Sequence, residues 1–407
     1  MRSVIASIVA STCLRACLAE QLPLAGSHHA LVPDDAPSYR SELLSLHKSL
    51  VTIPSVSGNE NAVGNFVVEY LTDRGYIADI QFVPKRNNTQ GDKERFNVVA
   101  WRGDSNPTPK VLVTSHIDVV PPHIDYGIED GPVTKDTRIS GRGSVDAKGS
   151  VAAIIIALED LLSHDRVDGS DVMLLFVVGE EVSGDGMRYF SDSLKNMTEQ
   201  PAFDAVIFGE PTENKLACGH KGGLFGEIVA QGIASHSGYP WLGKSANELM
   251  VHAMAKIFAT DLGSSDLYGN TTFNLGRFEG GVAANVVPEH ARAGIAIRVA
   301  IGPEKGGGEI VRERVQKILN EIDEDAFELI SSHSYGAVDC DCDVDGFETA
   351  VMNYGTDIPN LAGDHTRYLY GPGSILVAHG PNENLTVGDL ETAVEGFQKL
   401  ILHALKA

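Results

Sequence analysis

The sequence has no run of lysine and arginine: 55 acidic against 32 basic residues leave a formal charge of −23. Such a chain is repelled by phosphate backbones and anionic bilayers, so neither nucleic acid nor membrane is an expected partner. Beyond the start of the chain there is also no run of about 18 uncharged apolar residues, the length a membrane span needs. Cysteine is scarce, at five. If the first segment is removed, Cys218, Cys340 and Cys342 remain, an odd set whose i, i+2 pair is badly placed to bridge, so no disulfide scaffold is expected. Several catalytic signatures are missing too. There is no Gly-x-Ser-x-Gly elbow, no His-Glu-x-x-His helix and no Gly-Lys-Ser/Thr phosphate loop, and "GRGSVDAKG" lacks the third glycine spacing of a dinucleotide site.

What is present describes a globular chain: 43% hydrophobic and 7% aromatic over 407 residues, long enough for roughly two domains. The start, "MRSVIASIVASTCLRACLAEQ", has a basic residue, an apolar segment interrupted by Arg15, and small residues near Ala19, the order of a secretory signal over residues 1–19. Residues 20–37 read as a polar leader. A secreted chain is expected, with Asn87, Asn196, Asn270 and Asn384 as glycosylation acceptors.

From Tyr39 on, amphipathic helical patterns alternate with apolar runs such as Lys110–Ser115, Asp171–Val178 and Ala205–Phe208. That alternation predicts an α/β fold with a mostly parallel, buried sheet. After Glu213 the order becomes β-α-β-β-α-β, the split ferredoxin-like arrangement of a small α+β domain. The last stretch, "GPGSILVAHGPNE" and a long amphipathic helix, reads as a strand and helix returning to the first sheet. The predicted organisation is a discontinuous catalytic domain, residues 38–217 and 334–407, interrupted by an inserted domain over residues 218–333.

The chemistry sits after the apolar runs, where open α/β sheets hold ligands. "VLVTSHIDVV" puts His116 and Asp118 at i and i+2 on one strand face. "DVMLLFVVGEEVSGDG" supplies Glu180 and Glu181, which face opposite ways, with Gly184 and Gly186 allowing a sharp turn. "AVIFGEPTENK" adds Glu210 and "GPGSILVAHGPNE" adds His379, while the Gly-rich loop delivers Asp146 to a helix start. Two imidazoles and three carboxylates, His116, Asp146, Glu181, Glu210 and His379, compose the ligand set of a two-metal hydrolytic site. Nitrogen and oxygen donors without thiolate suit zinc, with manganese or cobalt as substitutes. Asp118 would accept the free ring N–H of His116 and orient it.

In order and spacing, "SHIDVVPP", "GRGSVDAKG", "GEEVSGDG", "GEPTENK", "ASHSGYP" and "GPGSILVAHGPNE" resemble the di-zinc metallopeptidase family of aminoacylases, glutamate carboxypeptidase and acetylornithine deacetylase. The resemblance implies His116 and Glu210 on one zinc, Glu181 and His379 on the other, Asp146 bridging, and Glu180 as general base. It also implies that the inserted domain is a lid or dimerisation domain. There His236 would stabilise an oxyanion, across a homodimer interface, and Asn285 and Arg298 would hold a substrate carboxylate. Ala147 stands where the family often has Asp or Met. The expected activity is that of a secreted zinc carboxypeptidase. An N-acyl-amino-acid deacylase on the same site and a non-catalytic binding protein on the same scaffold are the alternatives.

Overall fold

The computed structural model describes residues 36–85, 94–103, 107–195 and 202–406 of the chain. The signal and nearly all of the leader, Asn87 and Asn196 lie outside the described residues. The first helix, Arg40–Thr52, begins where the leader was expected to end.

Val111–His116 is buried at every position because it is an inner strand, flanked in parallel by Val172–Val177 and Ala205–Gly209. Covered on both faces, these strands have no polar side to show, hence their unbroken apolar sequences. The sheet has six strands, in the order Ile77–Val83, Arg95–Trp101, Val172–Val177, Val111–His116, Ala205–Gly209 and Thr366–Tyr370. The last four are mutually parallel, and the first two pair antiparallel. This is the α/β class with a mostly parallel sheet that the alternating pattern predicts.

One face is covered by Lys148–Ser163, whose Val151–Leu158 run is buried all round because Val387–Ala404 packs outside it. That outer helix starts in a capping box, Thr386 with Asp389. Met187, Phe190 and Leu194 of Asp185–Leu194 form part of the apolar layer on the other face.

A second, four-stranded antiparallel sheet runs in the order Thr272–Gly280, His290–Val299, Gly222–Gln231 and Phe327–Tyr335. It has its own core, in which Leu224, Ile228, Ile295 and Ile297 meet Met250 of Ala246–Phe258 and Val311 and Val315 of Gly307–Ile322. Both helices lie on one face, leaving Phe225, Arg298 and Tyr335 on the other. Between the sheets, Leu216–His220 pairs with Val338–Asp339 and Thr349–Met352.

One expectation needs correction. "SILVA" before His379 is not a strand but a set of turns; the returning strand is Thr366–Tyr370, which ends before that run begins. Val377 packs against the core from this loop while Leu376 is exposed, so the run carries no ladder. The chain also contains a disulfide, Cys218–Cys342, with Cys340 left free. The i, i+2 pair is unbridged, as its geometry requires. No helix among the described residues is long and apolar enough to cross a membrane.

Candidate active site

The parallel strands end at one edge of the first sheet, so the residues that follow them converge there. His116 closes its strand with its ring buried. Nδ1 donates to the backbone carbonyl of Asp118 at 3.0 Å, which turns Nε2 toward Asp146 Oδ1 at 3.0 Å and Glu210 Oε2 at 3.7 Å. His379, at a left-handed φ of 62°, places Nε2 3.2 Å from Asp146 Oδ2 and 3.0 Å from Glu181 Oε2. Asp146 thus stands between two imidazoles. His116, Asp146 and Glu181 each offer a donor atom within 4.8 Å of the others.

Asp118 differs from its expected part. Its carboxylate is 3.7 Å from His116 Nδ1, and the ring hydrogen bond goes to its main chain instead. The carboxylate accepts from Ser57 Oγ at 2.7 Å and from the backbone N–H groups of Glu180 at 3.1 Å and Glu181 at 3.3 Å. The i, i+2 relation does bring the two residues together, but the strand ends at His116, and beyond it the backbone carbonyl is the nearer acceptor. Asp118 therefore anchors the loop that carries both glutamates. The same loop is held from behind by Asp185, which pairs with buried Arg95, and it turns at Gly184, whose φ is 65°.

Burial and crowding set the protonation of this cluster. Burial, then the charge of Glu210, lifts Glu180 well above the usual carboxylate range. Burial, then Asp146, pushes Glu181 up to about 7, and burial outweighs His116 to bring Glu210 to about 7. Asp146 is held below its ordinary value because the hydrogen bonds from His116 and His379 together outweigh its burial. The bond of His379 to Asp146, with the one to Glu181, raises His379 to about 10. Although burial opposes it, the charge of Glu210 and the bonds to Asp146 and Glu210 raise His116 well above 6.5. The carboxylates outnumber the imidazoles, and every donor is nitrogen or oxygen. This donor set fits divalent cations, whose charge would replace the protons that the carboxylates now hold on the rings.

The cluster opens into a cavity of about 550 Å³. Asp146, Glu180, Glu181, Glu210 and His379 line one side, and Phe225, Arg298, His333 and Tyr335 of the second sheet line the other. Of the three residues expected in the inserted domain, Arg298 lines this cavity. His236 and Asn285 are not in this cavity. Both are exposed on a two-stranded ribbon, Ser235–His236 with Val286–Val287, or beside it. Sequence reasoning passed over Asp357, Tyr354 and Tyr335, which also line the cavity. Burial raises Asp357 to about 6. It lies in a loop beyond the short strand Thr349–Met352 and not at the end of a long apolar run, so nothing local marks it.

The sequence profile of peptidase family M20/M25/M40 matches residues 112–403 of the chain. A peptidase M20 domain-containing protein of Sordaria macrospora is 59% identical over 394 residues, 92% of this chain and 87% of that one. An Aspergillus terreus protein named "Probable carboxypeptidase" is 48% identical over 382 residues, 90% of this chain and 87% of that one. Among solved structures, a tripeptidase of Staphylococcus aureus has a TM-score of 0.70 at 20% identity, over 90% of this chain and 99% of that one. An M20 family metallo-carboxypeptidase of Sulfolobus solfataricus has a TM-score of 0.66 at 18% identity, over 90% and 100%. At such identities the structural likeness concerns the fold.

Proposed function

Since the chain belongs to peptidase family M20/M25/M40 and is a metallo-hydrolase, we propose that it is a secreted zinc carboxypeptidase that cleaves the amide bond beside a free C-terminal carboxylate. The observation that carries the reading is a single cavity with metal-ligand chemistry on one wall and the Arg298 guanidinium on the other. A guanidinium is the side chain best suited to a carboxylate.

His116 and Glu210 would hold one zinc, Glu181 and His379 a second, with Asp146 shared between them; manganese or cobalt suits the same donors. When bound, such a pair supplies Lewis acidity toward a carbonyl and lowers the pKa of water. Glu180 is the general base. Its carboxyl has a high proton affinity, so it can take a proton from the attacking water and return it to the leaving nitrogen. Asp118 keeps Glu180 in place through its backbone N–H. Arg298 holds the substrate so that the scissile carbonyl lies at the metal wall.

Secretion is supported by the signal-like start and by the Cys218–Cys342 bond, since disulfides persist in oxidising compartments. Asn270 is exposed, as a glycosylation acceptor must be. The segment of residues 218–333 would act as lid and dimerisation domain. His236 and Asn285 lie outside their own chain's cavity, beside exposed Tyr239, Trp241 and Leu242, so a second copy is the route by which they would reach a cleft. A monomer at working concentration by light scattering would remove both from the mechanism.

The test is a screen of blocked dipeptides and N-acetylated amino acids with the zinc-loaded protein. Release of the C-terminal amino acid from the dipeptides is expected. Release of acetate with the dipeptides left intact would place the protein among the deacylases instead.

A further inference from the structure

We propose that the Tyr335 hydroxyl joins the Arg298 guanidinium in a two-donor clamp for the carboxylate of the leaving amino acid, a reading that rests on the carboxypeptidase function above. The register of the second sheet builds it. On the strand Gly222–Gln231, Gly223 is opposite Arg298 on one side and opposite Tyr335 on the other. Directly paired residues project from the same face. Cation and phenol therefore stand in one row, separated by a position with no side chain. That row is on the cleft face, since Leu224, one residue along, is buried in the opposite core while Phe225, Arg298 and Tyr335 line the cavity.

Gly355 shows that the two donors reach the same space. A Cβ there would lie 2.1 Å from Tyr335 Oη and 3.5 Å from Arg298 Nη1. Any side chain at position 355 would displace the phenol and crowd the guanidinium. Among the described residues no carboxylate pairs with Arg298, whose guanidinium packs over the Phe225 ring at 5.3 Å, and no hydrogen bond occupies the Tyr335 hydroxyl. Burial keeps that hydroxyl protonated far beyond the ordinary phenol range, although Arg298 works the other way, so toward an anion it is a donor. A carboxylate accepts from the guanidinium fork and the phenol at once, whereas a carboxamide would turn N–H groups against donors. With Asn285 outside the cavity, Tyr335 is the donor that the sheet register sets beside Arg298 in the same chain.

The test compares a blocked dipeptide with its C-terminal amide in wild type, Tyr335→Phe and Gly355→Ala. Phenylalanine keeps the ring contacts of Tyr335 with His220 and His333. For Tyr335→Phe the KM of the acid should rise about tenfold or more, the effect of losing a hydrogen bond to a charged group. Its kcat should change little, and the KM of the amide should stay the same. Gly355→Ala should act in the same direction. An unchanged KM for the acid, or an equal rise for acid and amide, overturns the clamp. If the wild type cleaves no dipeptide, the carboxypeptidase function fails, and the clamp is then read by calorimetry with an N-acetylated amino acid. Weaker binding by Tyr335→Phe than by wild type supports it; equal binding, or none by either, overturns it.

Discussion

Glu180 and Glu181 are neighbours whose backbone N–H groups share one acceptor, the Asp118 carboxylate, while their side chains have separate surroundings. Glu181 meets His379, and Glu180 keeps a carboxyl that burial and Glu210 hold protonated easily. Replacing Glu180 with alanine should therefore retain metal, measured by elemental analysis, and lower turnover by about a hundredfold or more; near-normal turnover would remove it as the base. His47 makes a prediction about pH. It is fully buried, Nε2 donates to the Ser144 carbonyl at 2.9 Å, and burial lowers its pKa to about 4. Below its ordinary value of 6.5 the unfolded chain takes up a proton that the folded chain refuses, so stability is lost as pH falls toward about 4. The loss is roughly 3 kcal/mol for a shift of this size. His220, lowered to about 4 by burial, acts in the same sense. Urea midpoints should drop between about pH 7 and about pH 5, and His47→Gln should flatten the drop; an equal slope in the variant would contradict this account.

At the scale of elements, the loop that bears both glutamates depends on Arg95, on the neighbouring strand. Its guanidinium is buried, with Nη2 2.9 Å from Glu60 Oε1 and Nη1 3.1 Å from Asp185 Oδ2. Arg95→Ala would leave two buried carboxylates without a counter-charge, and destabilisation of about 3–5 kcal/mol in urea unfolding is expected; a loss under about 1 kcal/mol would mean that the network relaxes freely. The inner strands were legible because burial on both faces writes itself as an apolar run, as in Val172–Val177. Their ends were legible only in combination, because several acids and histidines follow such runs at the edge where open α/β sheets hold ligands. Ile77–Val83 was not: as an edge strand it is mostly half-buried or exposed, and its pattern resembles that of a loop. The run before His379 misled in the opposite way, since apolar residues in turns imitate a strand. Asp357 and Tyr335 reach the cavity by folding at long range, Asp357 from a loop some way beyond the short strand Thr349–Met352, and Tyr335 from the last position of a strand whose register only the sheet reveals.

For the whole molecule, the disulfide matters through where it sits. Cys218 precedes the second sheet, which begins at Gly222, and Cys342 follows its last residue, Tyr335, so the bond ties together the two chain crossings. It closes a loop of 124 residues, and its removal by Cys218→Ser with Cys342→Ser should cost roughly 2–5 kcal/mol. An unchanged denaturation midpoint would show that the pairing of Leu216–His220 with Val338–Asp339 and Thr349–Met352 suffices without the bond. Metal is the premise on which the catalytic account stands. Metal content should be measured by mass spectrometry on protein stripped with chelator and titrated with zinc, while hydrolysis of a blocked dipeptide is followed in the same samples. The account predicts that activity is absent in stripped protein and returns as occupancy rises to two zinc ions per chain. Full activity in metal-free protein would contradict it.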